Sequence, residues 1–196
     1  WRDCACETNY TMFSLISNFF NYILRKLGFL NKEGTIVLLG LDNAGKTTLQ
    51  YKLRTGLLQS FVPTERATLE SFDIGNVKFR AWDLGGHSSA RYLWREYFME
   101  TDGIVFMIDC ADPERFPEAK KELFEILDEK SIDTVPVVVM GNKCDIQDSV
   151  TAQSLEIALG LDRQFLQRNL RIFSTSVKDD IGYFEALKWL ADSFPN

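Results

Sequence analysis

Residues Thr35–Gln50 have the sequence TIVLLGLDNAGKTTLQ, and this stretch decides the fold. It opens with the apolar, β-branched run Thr35–Leu39, which predicts a buried strand. The next residues, Gly40–Thr47, match the pattern G-x-x-x-x-G-K-[ST], and the residues after them favour a helix. A strand, a glycine-bounded loop and a helix in this order predict a cradle for phosphate, because backbone N–H groups and the positive end of the helix dipole face the anion.

The residues of this loop suit a nucleotide with several phosphates. Gly40 and Gly45 let the backbone turn tightly and approach the anion closely. Lys46 supplies a point charge for the outer phosphates, and the Thr47 hydroxyl is a suitable Mg²⁺ ligand. A glycine-bearing turn before a helix, with no phosphate, is the plainer alternative. The predicted nucleotide contacts in this stretch are Ala44, Gly45, Lys46, Thr47 and Thr48.

A second motif of the form D-x-x-G spans Asp83–Gly86, at the end of a predicted strand. A carboxylate at that position can hold the metal, usually through water, so we predict Asp83 as part of the Mg²⁺ site. The N–H of Gly86 can approach the terminal phosphate because no side chain stands in the way. Alone this motif is also a common turn, but its place downstream of the phosphate loop favours the nucleotide interpretation.

A third motif, Asn142-Lys143-Cys144-Asp145, follows the predicted strand Val135–Met140. In an N-K-x-D motif the aspartate accepts hydrogen bonds from N1–H and the exocyclic amine of guanine, a donor pattern that adenine lacks. Lys143 would lie along the base, and Asn142 would tie this loop to the phosphate loop. Thr175-Ser176-Val177, after the last predicted strand, would offer N–H groups to the guanine oxygen. The motifs together predict GTP or GDP as ligand. A P-loop ATPase or small-molecule kinase is the rival, and would bind ATP comparably.

The remaining pattern alternates short β-rich runs with helical ones, which is typical of an α/β fold with a parallel sheet. We predict one domain, residues 31–196, with a mostly parallel six-stranded sheet and helices on both faces. The predicted strands beyond the first are Leu69–Ile74, Val77–Trp82, Gly103–Asp109, Val135–Met140 and Leu170–Ser174. The predicted helices are Thr47–Arg54, Arg91–Glu100, Pro113–Lys130, Thr151–Leu159 and Ile181–Phe194.

Composition limits the classes of partner. The net charge of −6 and the pI near 4.9 argue against nucleic-acid binding through bulk electrostatics. The four cysteines form neither a disulfide framework nor a zinc pattern, which fits a reducing cytosol.

The segment before the first strand divides in two. Residues 1–11 show no periodicity and precede Met12, so we expect an irregular extension outside the fold, either an upstream extension of the chain or a non-native segment. Residues 12–30 place bulky apolar side chains at steps of three and four, with Ser, Asn, Arg and Lys opposite. This pattern predicts an amphipathic helix. A helix packed permanently on its own domain is one possibility, and a helix that lies in a membrane surface is the favoured one.

With GLDNAGKTT, Pro63-Thr64, DLGGH and NKCD in place, the chain resembles the Arf/Sar family of small GTPases. It is most similar to the Sar branch, through GIVFMIDCAD, GYFEALKWL and a phenylalanine-rich leader without a myristoylated glycine. The resemblance implies a Ras-like P-loop NTPase fold and a GTPase that is slow without an activating partner. It implies that Thr64 reaches Mg²⁺ only with GTP, and that His87 orients the attacking water. It further assigns Asp42 and Asn43 to the metal and nucleotide, and Ser176, Val177 and Lys178 to the base.

The same resemblance implies a cellular role. A Sar-type protein would insert the helix of residues 12–30 into the cytoplasmic face of the endoplasmic reticulum membrane and recruit the COPII coat. It would cycle between the cytosol, that membrane and ER–Golgi transport vesicles. Its partners would be a guanine nucleotide exchange factor at the ER membrane and GTPase-activating inner-coat subunits of COPII. Trp82 and the short stretch Gly160–Arg171 look more like Arf. An Arf-like GTPase of another trafficking step therefore remains open, as does a GTP-dependent scaffold with negligible hydrolysis.

Overall fold

The computed structural model describes residues 32–64, 66–88, 91–161 and 169–194. The predicted extension of residues 1–11 and the predicted amphipathic helix of residues 12–30 lie outside these ranges. In the described part of the chain, no helix combines the length and the apolar character needed to cross a bilayer.

A single sheet of six strands organises the described residues. Its spatial order is β2-β3-β1-β4-β5-β6, and every neighbouring pair is parallel except β2 and β3, which form an antiparallel hairpin. The predicted fold class is therefore confirmed. The strands are β1 (Lys32–Leu39), β2 (Thr68–Ile74), β3 (Val77–Asp83), β4 (Gly103–Asp109), β5 (Val137–Asn142) and β6 (Leu170–Ser174).

Helices cover both faces of this sheet. The α-helices are α1 (Lys46–Thr55), α2 (Phe116–Leu127), α3 (Ala152–Leu159) and α4 (Tyr183–Asp192). Within the described ranges, three 3₁₀ segments lie at Arg91–Glu100, Pro113–Arg115 and Lys130–Ile132.

The two faces have separate apolar cores, because successive side chains of a strand point to opposite sides. Ile36 and Leu38 of β1 pack with residues of α1 and α4 on one face. Val37 and Leu39 pack with residues of α2, α3 and the 3₁₀ segment Arg91–Glu100 on the other. All four side chains are fully buried. This is why the central parallel strands have continuous apolar sequences rather than alternating ones.

Several predicted boundaries are wrong for local reasons. The predicted helix Pro113–Lys130 is a 3₁₀ turn, then α2, then a second 3₁₀ turn. Proline is tolerated only in the first turn of an α-helix, so α2 has to begin beside Pro117. The predicted helix Arg91–Glu100 has 3₁₀ geometry throughout.

The boundaries of β5 and α4 also differ from prediction. The predicted strand Val135–Met140 starts two residues later, at Val137 just after Pro136, and continues to Asn142. The last helix starts at Tyr183 rather than Ile181, because Ile181 pairs with Ser176 in an isolated antiparallel bridge. The extension of β5 to Asn142 and the later start of α4 lie at the carboxyl-end edge of the sheet, whereas the later start of β5 lies at the opposite edge.

The topology predicts where a ligand binds. In open α/β sheets, ligands bind beyond the carboxyl ends of the strands, where the strand order reverses. Here β1 is that strand, with β3 on one side and β4 on the other. The three predicted motifs follow or end β1, β3 and β5, so all of them lie at this one edge.

Candidate functional site

The loop between β1 and α1 has the tight backbone that a phosphate cradle needs. Gly40 has φ 127° and Gly45 has φ 103°, both in the region that favours glycine. A Cβ on Gly40 would lie 2.1 Å from the carbonyl oxygen of Met107, and one on Gly45 would lie 2.4 Å from Nδ2 of Asn142. The loop is therefore pressed against β4 on one side and against the third motif on the other.

Lys46 lies inside this loop. Its side chain is buried, and its Nζ donates to the carbonyl oxygens of Gly40 and Leu41, at 2.8 Å each. Burial lowers the pKa of Lys46 to about 8, although the charges of Asp83 and Asp42 act in the opposite direction. Phosphate oxygens that enter the loop would replace these two carbonyl oxygens as hydrogen-bond acceptors of the ammonium group.

The three predicted metal ligands lie together. Oγ1 of Thr47 donates to Oδ2 of Asp83 at 2.6 Å and lies 2.7 Å from Oγ1 of Thr64, which is itself 3.2 Å from the same Oδ2. The other oxygen of Asp83, Oδ1, is buried without a hydrogen-bond partner. Burial raises the pKa of Asp83 despite the hydroxyl donors and Lys46 nearby.

This donor set fits Mg²⁺. The ion prefers hard oxygen ligands and is commonly bound by one or two carboxylates together with substrate phosphates. Two hydroxyls and a buried carboxylate with a spare oxygen provide that chemistry, and the charge of the ion would offset the cost of burying Asp83. No larger cluster of His, Cys, Asp and Glu suited to a metal occurs among the described residues.

The D-x-x-G turn packs directly on the phosphate loop. A Cβ on Gly86 would lie 2.3 Å from the backbone nitrogen of Asp42, so only glycine fits there. The carbonyl oxygens of Gly85 and Gly86 accept hydrogen bonds from Nε1 of Trp94, at 3.0 Å, and Nε of Arg91, at 2.8 Å. His87 follows on the exposed side of the turn.

A chain of charges that the sequence did not reveal joins this turn to the phosphate loop. The guanidinium of Arg91 contacts Glu118 at 2.7 Å and Glu122 at 2.8 Å, and only 9% of the Arg91 side chain is exposed. Glu118 also accepts from Arg115 at 3.1 Å, and Arg115 donates to Oδ1 of Asp42 at 2.9 Å. Burial would raise the pKa of Asp42, but its hydrogen bond and attraction to Arg115 hold that pKa below the ordinary value.

The N-K-x-D motif is joined to both neighbouring loops. Nδ2 of Asn142 donates to the carbonyl oxygen of Ala44 at 2.9 Å, and Oδ1 accepts from the backbone N–H of Val177 at 3.2 Å. Asn142 is therefore the physical link between the phosphate loop and the loop after β6. Lys143, with φ 66°, donates to Oδ2 of Asp109 at 2.6 Å, a partner that sequence reasoning missed.

Asp145 faces the loop after β6. Its Oδ1 accepts from Oγ of Ser176 at 2.6 Å, and its Oδ2 accepts from Nζ of Lys178 at 3.4 Å. The Ser176 hydrogen bond is the main reason that the pKa of Asp145 lies below its ordinary value. The carboxylate stays ionised, as a group that accepts hydrogen bonds from a purine edge must be.

A cleft of about 220 Å³ connects the phosphate loop to the segment before β2. On the side of that segment the cleft is lined by Thr64 and also by Ser60, Phe61 and Val62, which no motif signalled. The predicted residues that line it are Asp42, Asn43, Gly45, Lys46, Thr47, Thr48, Thr64, Gly86 and Lys143. Asp83 contacts this cleft through its hydrogen bond with Thr47. Asn142, Asp145 and Ser176–Lys178 are joined to one another beside the cleft and form the part of the site predicted to bind the base. The predicted site residues therefore share one edge of the sheet, and their roles toward a ligand stay predictions.

Comparisons with known proteins agree with this geometry. The sequence profile of the ADP-ribosylation factor family matches residues 20–194. The chain is 38% identical over 184 residues to the small COPII coat GTPase SAR1 of Giardia intestinalis, covering 89% of this chain and 96% of that protein. Its fold is similar to the Arl6 BBS3 small GTPase from Trypanosoma brucei, solved with the bound nucleotide analogue GppNp. That match has a TM-score of 0.75 and 28% identity, and it covers 83% of this chain and 97% of the other.

Proposed function

Because this chain belongs to the ADP-ribosylation factor family, it is a small GTPase of the Arf/Sar type that binds GDP and GTP and hydrolyses GTP, and we propose that it is the switch that starts COPII coat assembly. In this role it works at the cytoplasmic face of the endoplasmic reticulum membrane and on ER–Golgi transport vesicles. An exchange factor at that membrane loads it with GTP, and the inner-coat subunits stimulate hydrolysis. The name of the Giardia relative supports this branch of the family.

The observation that carries the proposal is the convergence of the motifs through Asn142. This side chain holds the phosphate loop at Ala44 and the loop after β6 at Val177. We call the loop after β6, which includes Ser176–Lys178, the base-side loop. The two halves of a nucleotide site are therefore fixed relative to each other. A triphosphate tail would lie in the turn of amides above Lys46. The purine would lie between Lys143 and the Ser176–Lys178 segment, with its donors toward Asp145.

The switch depends on the terminal phosphate. With GTP, Thr64 and the N–H of Gly86 hold the γ-phosphate, and both already lie beside the phosphate loop. Mg²⁺, held by Thr47, Thr64 and Asp83, would neutralise charge on the phosphate oxygens. Loss of the γ-phosphate releases Thr64 and the turn, which is the order–disorder type of switching transition.

Hydrolysis is slow in this arrangement without help. His87 follows Gly86 on the exposed side, where its imidazole can accept a hydrogen bond from the attacking water. Phosphoryl transfer relies on positioning and on charge stabilisation, and a cationic group supplied by a partner accelerates related enzymes by large factors. We therefore assign the missing cation to the activating coat subunit.

The membrane part of the proposal concerns residues 12–30, outside the described residues. With GDP the amphipathic helix is held near the GTPase domain. Binding of GTP shifts the β2–β3 hairpin and displaces the helix into the bilayer. The apolar periodicity of that stretch supports this role, since a face of bulky apolar side chains is what binds an interface.

Liposome flotation tests the proposal. The protein is loaded with GDP or with a non-hydrolysable GTP analogue and floated with vesicles of neutral and anionic phospholipid. We expect recovery with vesicles in the GTP-analogue state only. Replacement of Phe19 and Phe20 by serine should abolish flotation while nucleotide binding is retained. Equal flotation in both nucleotide states would mean that the helix is not coupled to the switch.

A further inference from the structure

A buried lysine connects the phosphate-binding helix to the base side of the site. Lys52 lies in the second half of α1, and only 6% of its side chain is exposed. Its Nζ forms an ion pair with Oδ1 of Asp180 at 2.8 Å and lies 3.4 Å from the carbonyl oxygen of Lys178. Lysine is almost never buried to this degree unless it is paired, so Asp180 is what makes this burial tolerable.

Asp180 is held from a second side as well. The hydroxyl of Tyr183 donates to Oδ1 of Asp180, and Tyr183 is almost fully buried at the start of α4. Burial raises the pKa of Tyr183, so this hydroxyl keeps its proton. Asp180 itself has φ 59°, a left-handed conformation that costs energy for any residue with a Cβ. Lys52 of α1 and Tyr183 of α4 thus both hold Asp180 in the strained turn between β6 and α4.

That turn carries the groups predicted to recognise guanine. Ser176 and Ile181 exchange two backbone hydrogen bonds, at 2.9 and 3.0 Å, which close residues 176–181 into a small loop. At one end of this loop Oγ of Ser176 donates to Asp145 at 2.6 Å and accepts from the N–H of Asp179 at 3.0 Å. A displacement of Asp180 would therefore move the hydroxyl that orients Asp145.

Two lysines of α1 contact the two loops that are predicted to bind the phosphates and the base. Lys46 begins the helix and faces the phosphate loop, and Lys52 lies less than two turns later and faces the base-side loop. Because α1 contacts both loops, it links their positions through a path that does not include Asn142. Because Lys52 is 6% exposed, loss of Asp180 would leave a buried ammonium group unpaired and would also cost stability. A positioning role is therefore distinguished from a purely structural one by its effect on the choice of base.

We propose that Lys52 is a positioning residue for guanine recognition: paired with Asp180, it holds residues 176–181 so that Ser176 orients Asp145 toward the purine. The inference rests on the proposed nucleotide site and adds a residue that none of the sequence motifs contains. It predicts that loss of the pair affects the choice of base more than the grip on phosphate.

The test is Lys52→Met, which removes the charge but keeps an unbranched apolar chain in the buried space. GDP and IDP are compared, because hypoxanthine keeps the O6 and N1–H of guanine and lacks only the exocyclic amine that Asp145 would bind. We expect GDP to dissociate about tenfold faster, the equivalent of about 1.4 kcal/mol. IDP dissociation should change less, so the preference for GDP over IDP falls.

Two further variants make the result decisive. Asp180→Asn tolerates the left-handed backbone and keeps an acceptor for Tyr183, so it tests the pair even if Lys52→Met does not fold. It should lower the GDP preference in the same way. Lys121→Met removes an exposed lysine of α2, paired only at 3.8 Å with Glu125, and should leave both dissociation rates unchanged.

The possible outcomes distinguish failure of the positioning role of Lys52 from failure of the proposed nucleotide-binding function. If the unaltered protein binds neither GDP nor IDP, the proposed function itself is wrong. If it binds GDP tightly and both variants weaken GDP and IDP by the same factor, Lys52 serves stability alone and the positioning role is overturned. Unchanged rates in both variants overturn it equally.

Discussion

The side-chain amide of Asn142 lies 2.9 Å from the carbonyl oxygen of Ala44, a residue 98 positions earlier in the sequence. Its other atom, Oδ1, accepts from the N–H of Val177. Asn142 is 3% exposed, so neither hydrogen bond is in competition with water. These two hydrogen bonds therefore fix the phosphate loop and the base-side loop relative to each other.

Asn142→Ala should weaken GDP and GTP alike. It leaves the N–H of Val177 and the oxygen of Ala44 without partners in a buried site, which costs about 1–3 kcal/mol. We expect nucleotide affinity to fall roughly ten- to a hundredfold. Titration with a fluorescent GDP analogue measures this. Asn169→Ala, an exposed asparagine next to the opposite end of β6, is the matched control, and an equal effect there would contradict the link.

Asp145→Asn should change which purine is preferred. The carboxylate accepts from Ser176 and Lys178, and its ionised form suits the two donors of guanine. An amide presents one donor and one acceptor, which matches the C2 carbonyl of xanthine better. We expect GDP affinity to fall by at least about a hundredfold and XDP affinity to rise. A competition assay decides, with Asp148→Asn, an exposed aspartate of the same loop, as control.

Thr47→Asn should uncouple Mg²⁺ from GTP binding. Oγ1 of Thr47 lies within 2.7 Å of both Thr64 and Asp83, so the larger amide displaces the other two oxygens. GTP affinity should fall more than GDP affinity, and chelation of Mg²⁺ should accelerate nucleotide release less than in the unaltered protein. Thr55→Asn, at the far end of α1, controls for the substitution. The assignment of the metal site fails if chelation has the same effect in both variants.

Much of this site could be predicted from the sequence, because a parallel sheet brings the carboxyl ends of its strands to one edge. The positions of Lys46, Thr47, Asp83 and Asp145 follow from that rule alone. The pairing of Arg91 with Glu118 could not be predicted, since it depends on how a 3₁₀ segment packs against α2. The role of Pro117 was also missed, although the residue itself could have signalled the start of α2.

The charge chain from Gly86 to Asp42 provides the last prediction. Glu118 joins Arg91, which holds the D-x-x-G turn, to Arg115, which holds the phosphate loop. Glu118→Gln keeps the shape of the side chain but removes the charge that both guanidinium groups share. Because the turn is proposed to hold only the γ-phosphate, a GTP analogue should dissociate several-fold faster, and GDP should dissociate at nearly its original rate. Stopped-flow release of fluorescent nucleotides measures both.

The pH dependence of stability gives a second readout for the same variant. The hydrogen bond from Arg91 is the main reason that the pKa of Glu118 lies below its ordinary value of 4.5. The stability contributed by a carboxylate of this kind is present above that value and is lost as the pH falls through the lowered pKa of the folded state. The difference in thermal stability between Glu118→Gln and the unaltered protein should therefore be largest at neutral pH and should shrink below pH 4.5. Glu125→Gln, an exposed residue of the same helix, should show neither effect, and identical behaviour of the two variants would refute the role of Glu118.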